Sequence, residues 1–159
     1  MNGSPTRGWL LALVLVLLHF FLHVGLSYGR GAPDLLTLAL LLLARELTMG
    51  WAAAVGLALG LMEDALSVLA FGANSIAMTI VGIGGALTRD IFVGDSRLFL
   101  ISYVFVGKWA RDLIHWIAVG QELRQPFLEQ VLIDGGIASL YLAAVGVVVE
   151  EVWGVGAEA

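Results

Sequence analysis

Long apolar runs, separated by short polar connections, dominate the sequence and restrict what it can fold into. Six of these runs follow one another along the chain, at 9–26, 35–44, 52–62, 71–87, 98–120 and 127–149. In lipid every backbone polar group must be paired within the protein, and a helix achieves this within a single segment. The pattern therefore predicts an all-α integral membrane protein, with about six transmembrane helices in a single bundle formed by one domain, 1–159.

The composition supports this prediction, because the chain has too few polar residues to coat a water-soluble domain of its size. Of the 159 residues, 60% are apolar and 13% are charged, and the mean hydropathy is +0.95. A soluble domain has about 25% charged residues. The absence of cysteine excludes disulfides, thiol catalysis and cysteine metal sites. The net charge of −5, with no basic run, argues against nucleic acid as a partner.

Three of the runs leave alternatives open. The first run, 9–26, is either a cleaved signal peptide or a retained helix, and we favour a retained helix because the run is long and is followed by a poor cleavage site. The runs 35–44 and 52–62 are short for a membrane span, so they form either two short helices or one long bent element. We favour two helices, because Arg45 and Glu46 would otherwise lie at mid-bilayer.

Ionisable residues of the runs fall at one depth when the chain is arranged as six spans. Both termini are placed in the cytoplasm, because more arginines outside the runs then lie inside than outside, as the positive-inside rule requires. The inner ones are Arg7, Arg45, Arg89 and Arg97, and the outer ones are Arg30 and Arg124. Counting about 1.5 Å per helical residue puts Lys108 near the middle and the others in the outer half: His19, His23, Asp34, Glu63, Asp64, Arg111, Asp112, His115 and Asp134.

Charges at this depth are expected to be paired, because an unpaired one costs about 3 kcal/mol or more. Lys108 and Asp112 are one turn apart on the fifth helix, and Arg111 can pair with Asp134 on the sixth. Such pairs either only fix the helix register or form a polar cluster that is open to the outer face or covered by a partner. Alternatively, the fifth helix ends at Trp109 and Lys108 extends to the interface.

Two further pairs of polar residues have simpler interpretations. Glu63 and Asp64 are adjacent and diverge by about 100° on a helix, so we expect a water-exposed helix end rather than an acid–base couple. His19 and His23 are one turn apart, but a metal site needs more ligands. Since the sequence also lacks a phosphate loop, a zinc-helix motif and a nucleophile elbow, we predict no catalytic residue, no metal and no cofactor.

Glycines on the third and fourth predicted helices indicate close helix packing. Gly56 and Gly60 are one turn apart on the third helix, and Gly82 and Gly85 lie together with Gly84 on the fourth. Faces of small residues let another helix approach closely. These glycines are therefore predicted to pack against a helix, either in the bundle or from a partner.

Several of these residues belong to a series of short motifs. Pro33-Asp34-Leu-Leu is followed by Gly56-x-x-x-Gly60-Leu-x-Glu63-Asp64-x-Leu66-Ser67, then by Phe71-Gly72-x-Asn74 and by Gly82. Together with the length, the number of helices and the hydropathy, these motifs resemble the rod shape-determining protein MreD family over essentially the whole chain. The charged segment 108–115 matches no motif of that family.

The resemblance implies a non-enzymatic protein of the bacterial inner (cytoplasmic) membrane, similar in fold to the membrane substrate-binding subunits of energy-coupling-factor transporters. It implies MreC as the partner and, through MreC, RodA, a class B penicillin-binding protein and the MreB filament of the elongation machinery. It gives Asp34, Glu63, Asp64 and Asn74 a structural or partner-docking role. The alternative function is a small-molecule-binding membrane subunit of a transporter, with the outer polar cluster as its site.

Overall fold

Six α-helices make up most of the chain in a computed structural model that describes residues 5–25, 32–67, 70–88 and 97–153. They are α1 (Pro5–Phe20), α2 (Leu35–Ala44), α3 (Met49–Asp64), α4 (Ala73–Thr88), α5 (Arg97–Ala118) and α6 (Gly135–Trp153). No strand occurs in these ranges, so the predicted all-α fold is confirmed. The runs 35–44 and 52–62 form two separate helices, α2 and α3, as favoured over one bent element. The alternative in which the fifth helix ends at Trp109 is wrong, because α5 continues to Ala118.

Three shorter helical segments complete the described chain. α1 continues into a π-helical turn at Phe21–Gly25, a 3-10 helix at Gln121–Leu123 follows α5, and a π-helical stretch at Leu128–Asp134 leads into α6. The sixth helix of the sequence prediction therefore begins as a π-helix rather than as an α-helix.

The short helix α2 forms the centre of the bundle. All of its residues except Leu42 are buried, and the five other α-helices all contact it. A helix that is apolar all round needs such an enclosure. Ten residues span only about 15 Å, so the neighbouring helices extend beyond α2 at its ends.

α3 and α4 pack directly on one another through glycine. A Cβ atom at Gly60 would lie 2.7 Å from the carbonyl oxygen of Asn74, and one at Gly56 would lie 2.8 Å from the carbonyl carbon of Met78. Gly82 meets the backbone of Ala52 in the same way. These three faces are therefore occupied within the chain and are not free to receive another protein.

Gly85 has a different neighbour from the other predicted packing glycines. A Cβ atom there would lie 2.7 Å from the hydroxyl of Tyr103 on α5 and 3.0 Å from Cβ of Ala44 on α2. The Tyr103 hydroxyl donates a hydrogen bond to the carbonyl of Leu41 at 2.9 Å. Gly85 thus leaves room for the side chain that ties α5 to α2, whereas a Cβ at Gly84 would meet nothing within 4 Å.

The exterior of the bundle is apolar. Exposed leucines at Leu10, Leu13 and Leu17 form one stripe along α1, and exposed isoleucine, leucine and valine side chains line α6. A helix that faces water carries polar residues on its outer face, so extended apolar faces indicate other surroundings. Two helical segments, Thr6–Val24 and Leu128–Trp153, are long and apolar enough to cross a membrane.

Ion pairs define the two ends of the bundle. At one end, which we call the polar end, Asp34 before α2 lies near Lys108, and Glu63 on α3 pairs with Arg111. At the opposite end, Arg45 after α2 pairs with Glu150 on α6, and Arg97 at the start of α5 pairs with Glu151 near the end of α6. This arrangement fits helices that alternate in direction. Two arginines used for the predicted orientation, Arg30 and Arg89, lie outside the described residues.

Candidate functional site

Arg111 on α5 is the centre of the polar end. Its side chain is buried, and its Nη2 donates hydrogen bonds to Oε1 of Glu63 and to Oδ1 of Asn74, both at 2.7 Å. Its Nη1 donates to Oδ1 of Asp112 at 3.2 Å. A guanidinium offers several donors in one plane, and here a single group joins α3, the start of α4 and α5.

Lys108, almost one turn earlier on α5, extends these contacts to α2. Its Nζ lies 2.5 Å from Oδ1 of Asp112 and 3.3 Å from Oδ2 of Asp34. Asp34 also caps α2, because it accepts hydrogen bonds from the amide and the hydroxyl of Thr37, at 3.1 and 2.6 Å. We call the connected residues the ion network: Asp34, Glu63, Asn74, Lys108, Arg111 and Asp112.

The ion network combines three carboxylates with two cations, so it carries one surplus negative charge when all of them are ionised. Two of its buried atoms, Oε2 of Glu63 and Nε of Arg111, make no hydrogen bond. Nε of Arg111 is 3.9 Å from Oδ2 of Asp34, which allows attraction but no hydrogen bond. Buried charges in such a network fix one geometry, and the loss of any one of them leaves others unpaired.

Asp64 has a separate structural role at the polar end. It is 1% exposed, and its carboxylate accepts hydrogen bonds from the amides of Asn74 and Ser75, at 3.1 and 2.9 Å, and from the Ser75 hydroxyl. The first amides of a helix lack partners within the helix, and an acidic side chain there is also favoured by the helix dipole. Asp64 therefore holds the start of α4 against the end of α3.

The expectation of a water-exposed helix end is wrong for both Glu63 and Asp64. The side chain of Glu63 is only 24% exposed and faces Arg111, while Asp64 is buried beneath α4. The start of α4 lies against the end of α3, and Gly72, directly before α4, adopts a φ of +94°. Only glycine adopts that backbone conformation at little cost, so the Phe71-Gly72 motif was the signal for this turn.

Asp134 is placed differently from the prediction, which paired it with Arg111. It is exposed, whereas the next residue, Gly135, is buried beside α5. A Cβ atom at Gly135 would lie 3.6 Å from Oδ2 of Asp112, so this part of α6 does reach the depth of the ion network. Adjacent residues of a helix point about 100° apart, and with Gly135 facing α5 the side chain of Asp134 faces outward.

The three histidines of the chain lie at or near the polar end, two of them stacked on each other and one beside a groove. The rings of His19 and His23 are stacked with their centroids 4.0 Å apart, and Nδ1 of the buried His19 makes no hydrogen bond. His115 lines a shallow groove with Trp116 and Arg124. In the described part of the chain, no three histidine or acidic side chains are grouped so that they can hold a metal ion.

Arg124 is a residue whose role the sequence analysis did not identify. Its side chain donates hydrogen bonds to the carbonyls of Val119 at 2.8 Å and Ile117 at 2.5 Å, and it lies 4.8 Å from the ring centroid of Trp116. It therefore satisfies carbonyls at the end of α5, which have no partners within the helix. Its position in the loop after a long helix was the sequence feature that could have predicted this role, since basic side chains near a helix C-terminus can bond the last carbonyls.

Comparisons of the chain with protein family models, curated proteins and solved structures found no match. The resemblance to the MreD family therefore rests on the motifs and on where their residues lie.

Proposed function

We propose that the protein is a non-enzymatic membrane scaffold of the bacterial cell-elongation (rod) complex, which binds MreC and supports lateral peptidoglycan synthesis and rod shape. One observation carries the proposal. Asp34, Glu63 and Asn74 come from three separate motifs and meet around Lys108 and Arg111. Because these residues contact the same two cations, the three motifs are expected to occur together in one chain. This supports the resemblance to the MreD family.

The apolar exterior supports a location in the bacterial inner membrane. In this arrangement all six helices cross the membrane, both termini are cytoplasmic and the polar end faces the periplasm. The two segments Thr6–Val24 and Leu128–Trp153 have the length and hydropathy of spans. The shorter helices rely on packing around α2, as short membrane helices can when neighbours or a thinner bilayer accommodate them.

The chemistry of the polar end supports a structural role. Asp34, Glu63 and Asp112 each lie beside a cation of α5, and Asp64 is saturated by the start of α4. A general acid or base must reach a proton of its substrate, whereas these groups are directed at one another. The ion network thus holds four helices in register, and MreC links the bundle to RodA, the class B penicillin-binding protein and MreB.

The internal packing of the glycines restricts where MreC can bind. Gly56, Gly60 and Gly82 contact the facing helix backbone within this chain, so a partner helix must use another surface. α1 and α6 both present long apolar faces to the exterior. The scaffold proposal therefore assigns MreC to one of these outer faces.

Co-purification tests the proposal. The full chain, carrying an affinity tag, is co-expressed with MreC in a rod-shaped bacterium, and the complex is isolated from its inner membrane in mild detergent. We expect MreC to be retained, while a variant of MreC with its single span replaced by that of an unrelated protein is lost. Equal retention of both forms, or of neither, would contradict the proposal.

The alternative of a small-molecule-binding transporter subunit has less support in the geometry. The groove beside His115, Trp116 and Arg124 has a volume of about 230 Å³, below the range of roughly 300–1,000 Å³ that is usual for ligand sites. A ligand that binds the folded protein raises its unfolding midpoint. Stabilisation by a water-soluble vitamin that fails to stabilise an Arg124→Ala variant would support this function over the scaffold.

A further inference from the structure

Asp134 directly precedes α6 and lies on an exposed face that continues along that helix with apolar side chains. Its neighbours on this face, Ile133, Ile137 and Leu140, are 55, 64 and 61% exposed, and Asp134 itself is exposed. Apolar side chains of this kind are suited to lipid, but an ionised carboxylate is not. Acidic residues inside membrane segments are rare and face a partner or water when they occur. The position of Asp134 therefore needs an explanation beyond the contacts made by residues 5–25, 32–67, 70–88 and 97–153.

The backbone before α6 fixes the outward direction of Asp134. The residue ends the π-helical stretch Leu128–Asp134, in which the amide of Gly135 donates to the carbonyl of Gln130, five residues earlier. The indole of Trp109 donates to the carbonyl of Val131 at 3.0 Å and so attaches this stretch to α5. π-helical turns are rare, and many of them lie at functional sites. The outward direction of the carboxylate is therefore set by the backbone of this stretch and its attachment to α5.

The cations described at the polar end are already engaged elsewhere. Lys108 pairs with Asp34 and Asp112, and Arg111 pairs with Glu63 and Asp112. Arg124 donates to carbonyls at the end of α5. In the part of the chain that the structure describes, Asp134 consequently has no ion-pair partner.

We propose that the face of α6 around Asp134 binds a transmembrane helix of another protein, and that this helix carries a lysine or an arginine at the depth of Asp134. Charge complementarity carries the inference, because an intramembrane cation has the same need for a partner as Asp134. The inference rests on the proposed function, in which the single span of MreC is the expected helix.

Site-specific photocrosslinking tests the proposed contact. A photoreactive residue replaces Ile137, next to Asp134, or Leu57, which is exposed on α3, in the full chain within membranes that also contain MreC. We expect an adduct from position 137 whose peptide, identified by mass spectrometry, belongs to a membrane span with lysine or arginine. Position 57 is expected to give no adduct with that span.

Matched variants show whether the carboxylate makes the contact. We expect Asp134→Asn to lower the adduct from position 137 about fivefold or more, the loss that corresponds to an interhelical polar contact, and Asp134→Glu to retain it. Glu129→Gln removes an exposed acid of the same π-helical stretch and is expected to leave the adduct unchanged. Exchanging the charges, with Asp134→Lys and an acid at the basic position of the partner, is expected to restore it.

Three results would overturn the inference: an adduct that is unchanged in Asp134→Asn, one that forms only with a second copy of this chain, or one that forms only with lipid. A lower unfolding midpoint of Asp134→Asn in the absence of other proteins would also overturn it, since the carboxylate would then have a partner within the chain. If MreC co-purifies equally well with Asp134→Asn, the inference fails and the proposed function stands. If a different single-span protein crosslinks through Asp134 while MreC does not co-purify, the proposed function fails and the surface stands.

Discussion

The ion network at the polar end and the pair between Arg97 and Glu151 at the opposite end differ in their exposure to water. At the polar end the side chains of Lys108 and Arg111 are 8 and 10% exposed, and each pairs with carboxylates from more than one helix. At the opposite end the side chains of the pair between Arg97 and Glu151 are 76 and 52% exposed. An exposed pair contributes little to stability, whereas a buried charge without its partner is strongly destabilising. The geometry of the ion network therefore depends on its charges, whereas that of the Arg97–Glu151 pair does not. The other pair of the opposite end, Arg45 with Glu150, is itself largely buried, with side chains 15 and 20% exposed.

The difference arises from where each charge lies along its helix. Arg97 is the first residue of α5 and Glu151 is close to the end of α6, so both reach water at the helix ends. Lys108 and Arg111 lie well inside α5, beside the buried helix α2. For these four residues, position along the helix rather than the type of charged residue separates a surface pair from a buried network.

Removing the central cation is expected to have the largest effect and tests this comparison most directly. Arg111→Met leaves Glu63 without its ion-pair partner in a buried site, and the expected loss of unfolding free energy is about 3–5 kcal/mol. Denaturant unfolding of the purified protein in detergent measures it. The matched control is Arg97→Met, and a loss of similar size in both variants would show that burial does not distinguish the two ends.

The second prediction concerns the helix contact that positions Asn74 for Arg111. Gly60→Leu forces side-chain atoms into the backbone of Ser75 and Asn74, and overpacking of this kind costs about 1–3 kcal/mol or more. Gly50→Leu is the control on the same helix, because a Cβ atom at Gly50 meets nothing within 4 Å. We expect the unfolding midpoint to fall for the first variant alone. A fall of equal size in both would mean that α3 and α4 do not pack through Gly60.

The third prediction separates helix capping from the ion network. Asp64→Ala removes the acceptor for the first amides of α4, and the expected loss of unfolding free energy is about 1–2 kcal/mol. Asp64→Asn keeps one acceptor oxygen and is expected to lose less. Glu122→Ala, which removes an exposed acid from the 3-10 helix, is the control. Should Asp64→Ala equal the control, the carboxylate does not stabilise the start of α4.

The fold was predictable where helix boundaries follow the apolar runs. The run at 35–44 coincides with α2, and the run at 71–87 differs from α4 by two residues at its start and one at its end. Position along the long axis of the bundle is a sum over many residues and tolerates such errors. For this reason the polar residues that meet at the polar end, including Asp34, Glu63 and Arg111, were already expected at one level.

The partners within the polar end were not predictable, because direction around a helix changes by about 100° with each residue. Asp134, which faces outward, is directly followed by Gly135, which faces Asp112. The π-helical stretch before α6 adds a residue to the turn and has no reliable sequence signal. The capping role of Asp64 was missed for a related reason, since its partners ten and eleven residues later come within reach only through the turn at Gly72.

The smallest expected effect is at the opposite end, and it completes the comparison. A double-mutant cycle with Arg97→Met and Glu151→Gln is expected to give a coupling free energy below about 0.5 kcal/mol, because water screens both side chains. Raising the salt concentration from about 0.1 to 1 M shortens the screening length from about 10 to 3 Å, so the coupling is expected to vanish. The same salt change is expected to leave the destabilisation by Arg111→Met unaltered, since ions do not reach that site. If salt weakened both alike, the ion network would be open to solvent, and the distinction between the exposed Arg97–Glu151 pair and the buried ion network would be lost.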